Sequence, residues 1–110
     1  MPFADRDTEL SLCTWSNVNC DSNYVIFVTL SSMGFFGTLS PKIGILKNLK
    51  TFSLQGNGTT GGLPEEFGNL SSLTSLKLEN NHLTGQIPST LGNLKKLQDF
   101  EPKQSQWKYP

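Results

Sequence analysis

The chain has 110 residues, nine basic and nine acidic, with a formal net charge of zero, which bounds it to at most one domain. The balance leaves no charge excess to favour nucleic acid or an anionic membrane. No apolar run approaches the roughly 20 residues that would cross a bilayer.

Residues 1–12 are short and polar, and the opening Met1-Pro2-Phe3-Ala4-Asp5-Arg6-Asp7 has no apolar stretch of the kind that marks a secretory signal. Residues 13–24 form a separate module holding both cysteines, Cys13 and Cys20. Six residues lie between them, so they can close one small loop or remain two free thiols. With the lone His82 they do not complete a tetrahedral metal set, and no cofactor is expected.

From Val25 to Phe100 the chain repeats with a period of 24: Leu49, Leu73 and Leu97 share one phase, as do Leu30, Leu54 and Leu78, and Gly37, Gly61 and Gly85. The repeats run 25–48, 49–72 and 73–96, with a partial fourth at 97–100. Leucines spaced LxxLxL with Asn three residues on are the leucine-rich-repeat signature.

In the third repeat, strand alternation sends Leu76 and Leu78 inward and Ser75, Lys77 and Glu79 outward. Asn81 turns the chain, where its amide can satisfy backbone groups of adjacent coils. Leu83 and Ile87 return to the core, and Leu91 and Leu94 pack the convex side from a short 3₁₀ or helical segment. Phe52, Leu54, Asn57, Leu63, Phe67 and Leu70 repeat this in the second coil. Two positions depart: Met33 replaces the first Asn, and Thr59 replaces a core Leu, which should weaken the core locally. The phase ends at Pro102, and the tail 101–110 reads as disordered, with Trp107 and Tyr109 as a makeshift cap at best.

The segments Leu83-Thr84-Gly85-Gln86-Ile87-Pro88 and Thr60-Gly61-Gly62-Leu63-Pro64, together with Cys13-Thr14-Trp15, Val18 and Cys20, resemble plant leucine-rich-repeat receptor kinases. The likeness is closest to the somatic embryogenesis receptor kinase group, over about residues 13–100. It implies a short right-handed α/β solenoid of the plant-specific leucine-rich-repeat type. Such a fold has a parallel concave sheet, a second short sheet built from the LxGxIP segments, and an N-terminal cysteine cap. It also implies that Cys13 and Cys20 are paired as a disulfide, and that the chain acts outside the cell or at its surface. The co-receptors of the group carry Phe and His, which contact a steroid hormone, where this chain has Ser16 and Asn17, so the likeness stops short of hormone binding. None of the kinase motifs is present, so no catalytic residue carries over.

The expected function is non-catalytic recognition of a protein or peptide, as a truncated receptor-like ectodomain in cell-surface signalling or defence, with another leucine-rich-repeat receptor ectodomain as a candidate partner. Inhibition of a cell-wall-degrading enzyme is the alternative, alongside one part of a receptor serine/threonine kinase whose catalytic domain lies elsewhere. The candidate binding residues are Tyr24, Phe27 and Thr29, then Thr51, Ser53 and Gln55, then Ser75, Lys77 and Glu79. An ordinary solvated sheet face would carry much the same residues. Two glycosylation sequons occur, Asn57-Gly58-Thr59 and Asn69-Leu70-Ser71. Asn57 sits at the inward ladder position, so Asn69 is the candidate acceptor.

Overall fold

The computed structural model describes residues 8–101 and 106–108. The chain opens with a single helical turn, α1 (Glu9–Leu12), inside the stretch that sequence alone leaves unstructured. Four residues cannot hold a helix by propensity, and local bonds do it instead. Thr8 accepts a hydrogen bond from the Ser11 backbone N–H, and the Ser11 hydroxyl takes one from the Thr8 backbone N–H, a reciprocal cap. Leu12, 2% exposed, anchors the turn in the core.

The cap continues as an antiparallel hairpin of β1 (Val18–Asp21) and β2 (Tyr24–Thr29). Its two-residue turn places Ser22 and Asn23 both at positive φ, 51° and 69°. That is the turn geometry whose twist matches a hairpin. Register slips between Asn19 and Cys20, so β2 carries one extra residue, and Val25 and Val28 are both buried although three apart.

Three coils then follow one pattern. The concave sheet has the order β1-β2-β4-β6-β8, with β4 (Thr51–Ser53), β6 (Ser75–Lys77) and β8 (Asp99–Glu101) parallel to β2. A second parallel sheet joins β3 (Phe36–Thr38), β5 (Gly58–Gly61), β7 (His82–Gln86) and β9 (Gln106–Lys108). The convex side is three 3₁₀ turns, Pro41–Ile45, Glu65–Asn69 and Ser89–Asn93.

The two sheets use different registers. Concave partners are 24 residues apart, as in Phe27 with Thr51 and Thr51 with Ser75. Partners in the second sheet are 22 apart, as in Thr60 with His82 and Gly85 with Trp107. A slip of two residues is about 7 Å along a strand. Because the slip is even, every side chain keeps its face.

Two pieces of the segment read as disordered are paired. Glu101 completes β8, and Gln106–Lys108 pairs with β7 as a further strand of the second sheet. The repeat's backbone path outlasts its side-chain pattern because parallel pairing asks only for free N–H and C=O groups on β7. Pro102 and Tyr109 lie outside the described residues.

The core runs unbroken through the coils. Leu49, Phe52, Leu54, Phe67, Leu70, Leu73, Leu76, Leu78 and Leu83 are fully buried, and Phe52 and Phe67 meet edge to face at 5.6 Å. Two buried Asn side chains tie the coils together. Asn57 donates from Nδ2 to the carbonyls of Leu30 (2.8 Å) and Leu54 (2.7 Å) and accepts from the N–H of Met33 and Phe35. Asn81 donates likewise to Leu54 and Leu78.

Thr59 does not loosen the core. It is 0% exposed, and its hydroxyl donates to Asn81 Oδ1 at 2.6 Å, beside its own backbone N–H at 3.2 Å. The substitution for Leu exchanges apolar contact for a further bond to the Asn ladder. Met33, at the missing ladder position, is half exposed, and its sulfur accepts from Asn17 Nδ2 at 3.3 Å.

Candidate functional site

The concave face is assembled from residues that alternate with buried apolar ones such as Val28, Phe52 and Leu76, so the core fixes where each one points. Phe27, Thr51, Ser75 and Asp99 form one cross-strand row, each paired with the next. Thr29, Ser53 and Lys77 form the row beside it. At about 4.8 Å per strand step, the four residues of the first row span about 14 Å, the reach of a short extended peptide.

The aromatic end lies next to the cap. Tyr24 is 53% exposed and Phe27 43%, large apolar areas left open to solvent. Thr29 is also exposed, while Thr51, Gln55, Ser75, Lys77 and Glu79 are half-buried. Ser53 departs from expectation: it is 5% exposed, with its hydroxyl 3.0 Å from that of Ser31. Closely spaced strands and this hydroxyl pairing leave Ser53 little surface with which to touch a partner.

The far end of the face is charged. Lys77 Nζ lies 3.7 Å from Asp99 Oδ2, and the Ser75 hydroxyl donates to the same oxygen at 3.3 Å. Both ionic side chains are about two-fifths exposed, so the pair adds little stability in water. It does bring opposite charges together on the open face. The surface thus runs from aromatic beside the cap, through hydroxyls, to an ion pair.

The cap is fastened at two points. Cys13 and Cys20 form a disulfide with Cα atoms 5.8 Å apart, matching the pairing implied by resemblance. The Glu9 carboxylate accepts the N–H of Val25 at 2.8 Å, pinning the first residue of the solenoid. Sequence reasoning misses Glu9, since a lone acidic residue in a polar segment carries no signal. It also passes over Phe36, 77% exposed on β3. Phe35 and Phe36 are adjacent, so a strand can bury only one of them, and that pattern was legible.

The remaining candidates do not converge. His82 and Glu65 are exposed on different elements. Among the described residues no group of three or more His, Cys, Asp or Glu is placed to hold a metal ion. The two sequons sit in opposite settings: Asn57 is 7% exposed inside the ladder, and Asn69 is exposed at the end of a convex 3₁₀ turn. A depression of about 320 Å³ lined by Leu63, Glu65 and Pro88 lies on the flank, away from the concave rows.

Comparison with known proteins places this geometry. The Leucine Rich Repeat family matches residues 48–70 and 72–94. The chain is similar to LRR receptor kinase SERK2 of Oryza sativa subsp. japonica, 59% identical over 53 residues, covering 47% of this chain and 9% of that protein. It therefore spans less than a tenth of that relative's length. Among solved structures, the LRR ectodomain of the receptor kinase SOBIR1 from Arabidopsis thaliana superposes with a TM-score of 0.81 at 26% identity. That match covers 86% of this chain and 58% of the other. The Arabidopsis receptor kinase HAESA, in complex with the peptide hormone IDA and the co-receptor SERK1, gives a TM-score of 0.74 at 33% identity. There the match covers 94% of this chain and 17% of the other. The fold is that of plant leucine-rich-repeat receptor ectodomains.

Proposed function

We propose, from leucine-rich repeats folded as in plant receptor-kinase ectodomains, that this chain is a non-catalytic recognition module in cell-surface signalling. It would work outside the cell, docking an extended peptide on the concave sheet, with another leucine-rich-repeat ectodomain able to join at the cap. The observation that carries this reading is the open row Phe27, Thr51 and Ser75, flanked by exposed Tyr24 and Thr29. Aromatic side chains standing on a rigid sheet supply large contact area at low entropic cost. The face presents hydroxyls and one ion pair, a set suited to holding backbone and side-chain groups of a peptide and not to bond chemistry.

Support comes from the company the fold keeps. HAESA is seen with a peptide hormone and a co-receptor, and RGFR1, similar at 27% identity with a TM-score of 0.78, is in complex with RGF2. The test uses the oxidised chain against a displayed library of 12-residue peptides and against the rice SERK2 ectodomain. Selected binders should lose at least about tenfold in affinity with Phe27→Ala, equivalent to about 1.4 kcal/mol, and keep it with Glu66→Ala on the convex side. Binding that survives Phe27→Ala and Tyr24→Ala but falls with the convex variant would sink the proposal.

A further inference from the structure

The two sequons share a motif but occupy opposite environments, and that contrast determines which of them can carry a sugar. The Asn57 side chain is fully committed. Its Nδ2 supplies the Leu30 and Leu54 carbonyls, with a longer contact to Gln55 at 3.3 Å, and its Oδ1 takes two backbone N–H groups. Attaching a glycan replaces one of the two Nδ2 hydrogens, so at least one hydrogen bond to a buried carbonyl would be lost. An N-acetylhexosamine would also have to stand at a position only 7% exposed. Thr59, whose hydroxyl completes that sequon, is itself buried and bonded to Asn81.

Asn69 has none of these commitments. It is exposed at the end of the 3₁₀ turn Glu65–Asn69, and Ser71 beside it is exposed too. Only its backbone carbonyl is engaged, accepting from the Ser71 N–H and Lys47 Nζ, and among the described residues its side-chain amide makes no hydrogen bond. Its Nδ2 lies beside Gly44 of the preceding coil, where an added Cβ would stand only 3.3 Å away, so glycine at that position spares the amide a clash. The corresponding positions of the other coils, Ile45 and Asn93, are not in sequons.

We propose that Asn69 is an N-glycan acceptor and that Asn57, although in a sequon, must stay bare for the coils to close. The glycan then stands on the convex ridge, on the side of the coil opposite the concave rows, and leaves those rows free. In the cell this rests on the extracellular reading above, but the test does not. The chain is fused to a secretory signal, expressed in insect cells, and its protease-resistant fraction is collected, whether secreted or retained. Enzymatic deglycosylation in ¹⁸O water followed by peptide mapping should place heavy oxygen on Asn69 and none on Asn57. Ser71→Ala should remove the glycan with the melting temperature kept, and Ser71→Thr should retain it. A bare Asn69, or a glycan on Asn57, in the protease-resistant fraction overturns the assignment. Because entry to the secretory path is imposed, neither result bears on where the native protein acts.

Discussion

At the scale of single residues, the ladder amides hold far more than their number suggests. Removing the Asn81 side chain strands the Leu78 carbonyl and both the N–H and the hydroxyl of Thr59 inside the core, while the Leu54 carbonyl keeps the Asn57 amide. Each buried polar group left without a partner costs about 1–3 kcal/mol, so Asn81→Ala should destabilise the fold by about 3 kcal/mol or more in urea unfolding. Thr59→Val keeps the shape and loses one bond, while Asn81 Oδ1 still accepts the Thr59 N–H. That change should cost about 1 kcal/mol or less. A larger loss than that of Asn81→Ala would show that the hydroxyl, not the amide, organises this junction. The ladder Asn was legible from its spacing after LxxLxL. The role of Thr59 was not, because a hydroxyl at a leucine position looks like a defect until its partner from the next coil is seen.

At the scale of elements, the convex turns are spaced by what glycine lacks. A Cβ at Gly68 would meet Thr90 Cβ at 2.6 Å and Thr90 O at 2.7 Å, whereas one at Gly92 meets nothing within 4 Å. Neither glycine has positive φ, so the difference is steric alone. Gly68→Ala should therefore cost about 1–3 kcal/mol by overpacking, while Gly92→Ala should be neutral or slightly stabilising through the unfolded chain. Paired thermal melts check this, and equal melting temperatures would refute the close packing of the second and third turns. Both glycines occupy the same phase of the period. Sequence alone treats them alike, because it does not show which coil lies above which.

The cap is an element as well, and two fastenings share its load. Reducing the Cys13–Cys20 bond should lower stability by about 2.5 kcal/mol, on the loop-entropy estimate for a ring of eight residues. Glu9→Ala removes the acceptor of the Val25 N–H and should cost about 1.5–3 kcal/mol, the range for a hydrogen bond to a charged group. Denaturant titrations with and without reductant measure both, and losses that add would mean that the two fastenings act independently.

At the scale of the whole molecule, one core passes through cap and coils, with Leu12 and Val18 of the cap continuous with Leu91 and Leu94 of the third coil. Neighbour-to-neighbour contact of this kind couples the coils. A chain of three coils should accordingly unfold in one step. Trp15 packs against the core from the cap, and its indole reports on that end once Trp107 is replaced. Far-ultraviolet dichroism, which follows the sheets, should melt together with the fluorescence of a Trp107→Phe variant, which follows the cap. Two separated transitions would mean that the cap and the coils are independent units.

The sequence by itself determined the period and the inward leucines, because both follow from alternation within a strand and recurrence every 24 residues. Tertiary structure alone decided the rest. The different register of the second sheet, the burial of Ser53, the anchoring of Val25 by Glu9 and the strand at 106–108 all depend on how one coil rests on the next. Contacts between residues 16 to 24 positions apart leave no local mark in the chain, and they appear only once the coils are stacked.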